Sequence, residues 1–326
     1  MPDILITERL EGTALASLRA RFDVEEAPDL WRDPAALRAR LRECRALIVR
    51  NQTKVTRELL ADASQLQVVA RAGAGLDNVD VAAATEAGVL VCYAPEQNAI
   101  SVAELAMGML LALARRLVAA DVSTKGGGWD RHGFTGTELF GKTIGIVGFG
   151  RIGFLLAMRA RAFGMRVLAH DPFVSPDNVL VVESGAEIVA LDDLLARADV
   201  VSCHLPSTAE TRGFFDSARI GRMKPSALFL NLARGEVVDE TALIEALQRG
   251  RIAGAALDVR AAEPPTAGTL ETLANVILTP HVAAFTDEAQ ERVVAAVCRD
   301  VAAVLEAGRV TYPANRPAAR KELSAR

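Results

Sequence analysis

Cysteine is scarce in this chain, a surplus of basic charge is missing, and no apolar run is long. Each absence removes a class of function. The four cysteines, Cys44, Cys92, Cys203 and Cys298, form no close pair and no CxxC. That excludes a disulfide framework and a cysteine zinc site, leaves no metal site expected, and suits free thiols in a reducing cytoplasm. Basic residues number 37 against 41 acidic, a net charge of −4, without the clustered basic face of a nucleic-acid binder. The one basic cluster, Arg32–Arg50, is interleaved with acidic and apolar residues and reads as a solvated helix face. The longest apolar run, Leu105–Ala114, has ten residues between Glu104 and Arg115-Arg116, too few to span a membrane. The opening Met-Pro-Asp-Ile-Leu lacks a basic segment before an apolar core, so no secretory signal is expected. No repeat or low-complexity segment is visible.

What is present is a large apolar content, 51% over 326 residues, enough for about two domains. Short apolar β-branched stretches alternate with helical ones. Ile4–Ile6, Ala46–Val49, Leu66–Ala70 and Val89–Cys92 read as strands, with helices over Leu37–Leu41 and Val81–Ala87. Further strands are expected around Asp199–His204, Ala227–Asn231, Gly254–Asp258 and Val276–Thr279, and helices over Glu240–Arg249 and Thr286–Ala307. This alternation predicts parallel α/β sheets. Asn98–Ala120 reads as one long helix, with Ser101 as N-cap and Glu104 as its capping-box partner. It is apolar on too many faces for solvent, which points to burial at a subunit or domain interface, and a homodimer is expected.

At the centre lies Ile144-Gly-Ile-Val-Gly148-Phe-Gly150-Arg-Ile-Gly153, between an apolar stretch and a helix. A second strand, Met165–His170, ends at Asp171, 18 residues after Gly153 and close to the ~20 expected of an acid that reaches an adenosine ribose. Gly148 would permit the tight turn, Gly150 the approach of a pyrophosphate, and Gly153 close packing of helix on strand. The helix N-terminus, at Arg151 and Ile152, would offer N–H groups to the phosphates. Asp171 would repel a 2′-phosphate, and Pro172–Pro176 carry no basic residue to neutralise one. NAD is therefore the expected cofactor.

Three strand ends carry residues that burial would not select: Arg234, Glu263 and His281. Ligands bind beyond the carboxyl ends of strands in open α/β sheets. An arginine could hold a substrate carboxylate, a histidine could give a proton to a carbonyl oxygen, and a glutamate could orient the imidazole. Singly, Arg234 could equally cap a helix, Glu263 be a loop acid and His281 a packed ring.

Val147–Gly153, Asn231-Leu-Ala-Arg-Gly235, Leu257-Asp-Val-Arg-Ala-Ala-Glu-Pro264 and Leu278-Thr-Pro-His281 resemble, in order, the signature blocks of the D-isomer-specific 2-hydroxyacid dehydrogenases. The resemblance implies two Rossmann-like and flavodoxin-like parallel-sheet domains with an inter-domain cleft. It places a substrate-binding domain at residues 1–97 plus 287–326 and an NAD-binding domain at 98–286. It implies Arg234, Glu263 and His281 as the catalytic set, and Asp258 as a contact of the nicotinamide carboxamide. His204, Leu205, Leu232, Ala233, Ala283 and Ala284 would line the cofactor.

Within the family, Leu47–Thr56, Arg71–Asp80, and Gly128–Arg131 with Gly136–Leu139 look like the branch acting on 3-phosphoglycerate. On that likeness Ala74 and Gly75 would take the substrate carboxylate, with Ala74 also near the cofactor. Arg50 would reach a second anionic group, and Asn98 and Gln290 would lie nearby. The chain departs from the pattern at Asn51-Gln52, Glu96-Gln97, Arg260 and Phe285. The implied activity is hydride transfer between NAD and C2 of a small D-2-hydroxy acid or its keto partner. The alternatives are a hydroxypyruvate or glyoxylate reductase, a sulfolactate dehydrogenase, and an NAD(H)-sensing, corepressor-like binding protein.

Overall fold

The computed structural model describes residues 2–317. Of these, residues 2–98 together with residues 285–317 form one compact unit, and Ala99–Ala284 form another.

The first unit is built on β1 (Ile4–Ile6), β2 (Val24–Glu26), β3 (Ala46–Val49), β4 (Val68–Arg71) and β5 (Leu90–Tyr93). Among the described residues these pair in parallel in the order β2-β1-β3-β4-β5, the flavodoxin-like order. Period-two alternation assigns the side chains to two layers. Ile4, Ile6, Ile48 and Val68 pack with Val293, Val297 and Val301 of the helix Asp287–Leu305. Leu5, Leu47, Val49 and Val69 pack with Leu37, Leu41, Leu59 and Leu60 on the other face. Side chains at both faces explain why these strands read as unbroken apolar runs. The short edge strand β2, Val-Glu-Glu, is half-exposed, which is why no apolar run announces it.

The second unit holds β6 (Thr143–Val147), β7 (Arg166–His170), β8 (Glu187–Ile188), β9 (Val200–Cys203), β10 (Leu228–Asn231), β11 (Gly254–Leu257) and β12 (Val276–Leu278). Their order is β12-β11-β10-β9-β6-β7-β8, parallel throughout the described pairs. Counted from β6 this is the dinucleotide-binding order with one strand added, and it reverses between β6 and β9.

The long helix expected over Asn98–Ala120 is two helices, Ala99–Ala114 and Leu117–Lys125. Arg116 adopts a left-handed conformation between them (φ 51°), which interrupts the helical hydrogen bonds. Ser101 lies inside the first helix and is buried, so it is not the residue that precedes the first turn. Glu104 instead pairs with Arg159 of the helix Arg151–Ala162, at 2.8 Å. The apolar character of Ala99–Ala114 is spent on its own unit: Val102, Ala106, Met109 and Leu110 pack into the core with Ile146, Leu156 and Leu230. The basic cluster Arg32–Arg50 is largely paired, with Arg38 and Arg42 on Asp62, Arg40 on Glu25 and Arg45 on Asp3.

All four cysteines are buried and unpaired. Burial pushes Cys92, Cys203 and Cys298 up to about 12, so these are packed and inert thiols. Among the described residues no helix is long and apolar enough to cross a membrane, and no His/Cys/Asp/Glu group could hold a metal ion.

Candidate active site

The turn after β6 sits at the order reversal of the second unit. Gly148 takes φ 90°, a conformation that costs glycine little. A Cβ there would lie 2.8 Å from the His204 carbonyl oxygen at the end of β9, so the two strand ends touch. A Cβ on Gly153 would lie 2.7 Å from the Gly148 oxygen, whereas one on Gly150 would meet nothing within 4 Å. The backbone is thus open at Gly150 and closed where helix meets strand. Side chains cap many helices of the chain, as Asp80, Asp239 and Thr286 do. None caps the helix Arg151–Ala162, whose N-cap is Gly150. Its first N–H groups, around Arg151 and Ile152, therefore remain available to an anion.

Asp171 follows β7 and leans back to this turn. Its Oδ2 accepts from the Phe149 N–H at 2.8 Å and its Oδ1 from the Phe173 N–H at 2.9 Å. The open glycine, the uncapped helix and the aimed carboxylate together fit the pyrophosphate and adenosine ribose of a dinucleotide. Along the same rim, the His204 Nε2 and the buried Ser202 Oγ are 2.8 Å apart. Burial lowers the His204 imidazole to about 4, so it stays neutral at pH 7. Leu205 follows beside Gly148.

Beyond β10, Asn231 folds the next turn on itself. Its Nδ2 donates to the Arg234 carbonyl at 2.9 Å and its Oδ1 accepts from the Ala233 N–H at 3.1 Å. This fixes Leu232 and Ala233 along the rim and sends Arg234 out from the strand end. Beyond β11, Asp258 is buried (1% exposed). Its Oδ1 accepts from the Val282 N–H at 2.9 Å and the Thr279 hydroxyl at 2.5 Å, and its Oδ2 from the Ala283 N–H at 2.9 Å. The Asp258 carbonyl accepts from the His281 N–H at 2.8 Å. One aspartate thus shapes the whole 279–283 loop, including the left-handed residue His281 (φ 56°). Both of its oxygens are engaged by this loop, so any contact with a carboxamide would be shared with those three donors.

His281 and Glu263 meet directly, Nδ1 to Oε2 at 2.7 Å. Burial by itself would raise the Glu263 carboxyl. The His281 hydrogen bond, the Arg260 N–H and the charges of His281 and Arg234 together hold it below its ordinary value. Glu263 is therefore an anion at neutral pH, in hydrogen-bond contact with the imidazole. The second unit thus brings together an ionised carboxylate, a histidine able to exchange a proton, and a guanidinium whose charge reaches the same carboxylate.

In the first unit, Arg50 lies at the order reversal between β1 and β3. Its Nη2 donates to Gln290 Oε1 at 2.6 Å, and its guanidinium lies 4.7 Å from the centre of the Phe285 ring. Burial lowers the Arg50 guanidinium, against the opposing pull of Glu8 and Glu11. Ala74 and Gly75 are half-buried in the turn after β4. The Asn98 Oδ1 is buried without a hydrogen-bond partner, a position a ligand donor would satisfy. Arg50 and Gln290 are in contact. Among the described hydrogen bonds none ties Ala74, Gly75 or Asn98 to them.

Two residues that shape this region escaped sequence reasoning. Glu8 accepts from the N–H groups of Arg50, Gln52 and Thr53 at 2.8, 2.9 and 3.0 Å. Asn78 donates to the Arg50 and Thr53 carbonyls at 2.9 and 2.7 Å. A glutamate two residues past a buried strand was the available signal for Glu8. Asn78 left none, since its partners are backbone atoms distant in sequence.

The D-isomer specific 2-hydroxyacid dehydrogenase, NAD binding domain, family matches residues 107–283. The D-3-phosphoglycerate dehydrogenase of Mycobacterium tuberculosis is 49% identical over 294 residues, which is 90% of this chain and 54% of that protein. The chain therefore spans about half the length of the curated relatives it matches. The TT0316 protein from Thermus thermophilus superposes with a TM-score of 0.90 at 37% identity, covering 96% of this chain and 99% of that one. D-lactate dehydrogenase from Aquifex aeolicus, solved with NAD and lactic acid, gives a TM-score of 0.83 at 30% identity, covering 93% and 95%. With its reversed-order parallel sheet, its glycine turn and a matched NAD-binding domain, the chain belongs to the D-isomer-specific 2-hydroxyacid dehydrogenases.

Proposed function

We propose that the chain is an NAD-dependent dehydrogenase of a small D-2-hydroxy acid, interconverting it with its 2-keto acid. The observation that carries this reading is the 2.7 Å contact between His281 and Glu263, in the same unit as the open glycine turn. The turn residues Gly148–Gly153 hold the pyrophosphate and Asp171 the ribose. His204, Leu205, Leu232, Ala233, Ala283 and Ala284 line the nicotinamide side, where Asp258 keeps the loop in shape. A bound NAD would supply the hydride acceptor or donor for substrate C2.

The chain's own residues do the rest. In the oxidising direction His281 takes the hydroxyl proton, and in the reducing direction its imidazolium returns one to the carbonyl oxygen. Glu263 stabilises that imidazolium and orients the ring. Arg234 pairs with the substrate carboxylate through its planar fork and polarises the adjoining carbonyl. On the family likeness, the N–H groups of Ala74 and Gly75 would take the carboxylate, Arg50, held by Gln290, would take a second anionic group, and Asn98 would offer its buried Oδ1 to a ligand donor. The phosphoglycerate dehydrogenase relatives support a 3-phosphoglycerate-like acid.

We assign a homodimer joined through the second unit. The helix Leu117–Lys125 has no buried residue although it carries Leu117, Val118 and Val122, and Trp129 and Phe140 are exposed as well. Apolar side chains left uncovered in this way mark an interaction surface. The four unpaired thiols support a reducing, cytoplasmic setting.

The test is turnover of 3-phosphoglycerate, sulfolactate, glycerate, lactate and their keto acids with NAD(H), in parallel with His281→Ala. The variant should lose about 10²–10⁴-fold in kcat while NADH binding stays within a few-fold. Wild-type turnover by His281→Ala would remove the histidine from the reaction.

A further inference from the structure

Arg260 stands in the loop between β11 and Glu263, and its side chain is only 12% exposed. Its guanidinium bridges two carboxylates on different elements. Nε and Nη2 donate to Glu240 at 3.2 and 3.3 Å, at the start of the helix Glu240–Gln248. Nη1 donates to Glu271 at 2.5 Å, in the helical turn Leu270–Thr272. Each carboxylate also takes a main-chain N–H of the surrounding loop: Glu240 from Ala261 at 2.7 Å and Glu271 from Gly268 at 2.8 Å. The loop is thus fastened on both sides of Glu263.

Arg260 reaches the candidate catalytic groups through its backbone. Its N–H donates to Glu263 Oε1 at 3.1 Å, while Glu263 Oε2 holds His281. A Cβ on Gly235 would lie 2.0 Å from the Arg260 carbonyl carbon, so the residue following Arg234 packs directly on the Arg260 peptide. A planar guanidinium with five donors can bridge two carboxylates at fixed angles, which neither a lysine nor an apolar side chain can do.

We propose that Arg260 is a positioning residue: clamped between Glu240 and Glu271, it fixes the loop so that its own N–H holds the Glu263 carboxylate in the orientation that engages His281. The inference rests on reading Glu263 and His281 as the proton-exchanging pair. If the clamp is released, Glu263 Oε1 loses its anchor, the carboxylate turns, and the protonated imidazole loses part of its support. The His281 midpoint then falls.

The test uses Arg260→Met, Arg260→Lys and Glu271→Gln in the full chain. Three quantities are read: the NMR titration of the His281 imidazole, the pH profile of kcat/KM, and the NADH Kd. Arg260→Met should lower the His281 midpoint, move the profile the same way, and cut kcat about tenfold. Its NADH Kd should stay within about twofold. Glu271→Gln should shift the midpoint in the same direction by less, and Arg260→Lys should recover part of the loss. An unchanged His281 titration in both Arg260→Met and Glu271→Gln overturns the proposal, as does a loss of kcat with an unmoved profile. Should Arg260→Met fail to fold, Glu271→Gln decides the matter alone. The titration needs no turnover. If the parent protein turned over none of the acids while the midpoint still moved, the proposed function would fall and the positioning role would stand.

Discussion

Asp258→Asn isolates the contribution of one buried charge to the loop that carries His281. The substitution keeps shape and volume. Its oxygen can occupy the Oδ1 position and keep the bonds from the Val282 N–H and the Thr279 hydroxyl. Its NH2 group then faces the Ala283 N–H, donor against donor, in a site that is 1% exposed. One stranded buried donor costs about 1–3 kcal/mol. The two surviving bonds lose their charge assistance, at about 1 kcal/mol each. Turning the amide over keeps the Ala283 bond and strands the Val282 N–H instead, so it offers no escape. The expected destabilisation of the second unit is about 3–5 kcal/mol, a fall of roughly 6–20 °C in Tm for a unit of this size. Urea unfolding followed together with amide hydrogen exchange over residues 279–284 reads both the global and the local effect. Exchange in that loop should accelerate at least as much as global unfolding does. A variant within about 1 kcal/mol of the parent, with loop protection intact, would refute the claim that Asp258 templates the loop.

His204 makes stability depend on pH. Its imidazole is held at about 4 against an ordinary 6.5, so the unfolded chain binds the proton first as pH falls. Stability is complete above 6.5 and is lost progressively toward 4, by up to about 3 kcal/mol. His204→Gln should flatten the urea midpoint between pH 7 and pH 4.5, and an unchanged slope would show that other groups govern that window. Asp171→Asn keeps an acceptor for the Phe149 N–H but removes the charge. NADPH activity relative to NADH should rise about tenfold, and a constant ratio would take Asp171 out of cofactor choice. Val122→Glu, on the uncovered helix Leu117–Lys125, should convert a dimer to a monomer in sedimentation velocity. A dimer that persists would place the interface elsewhere.

Most of the buried strands and the dinucleotide turn were legible in the chain alone. Apolar β-branched runs such as Ala46–Val49 and Thr143–Val147 are strands because both of their faces are buried. The Gly148–Gly153 spacing marks a strand–turn–helix because only glycine tolerates the φ at Gly148 and the contacts at Gly153. These constraints act within a few residues of one another and therefore leave a local pattern. Arg234, Glu263 and His281 were visible as polar residues at strand ends. That Glu263 and His281 touch, 18 residues apart in the chain, followed from the strand order. The break at Arg116 was not legible, because its helix continues on both sides in composition and only the backbone conformation interrupts it. Nor was the clamp around Arg260, which joins positions 240, 260 and 271. Three charged residues on separate elements carry no mutual signal in the chain until packing in three dimensions brings them within hydrogen-bond reach.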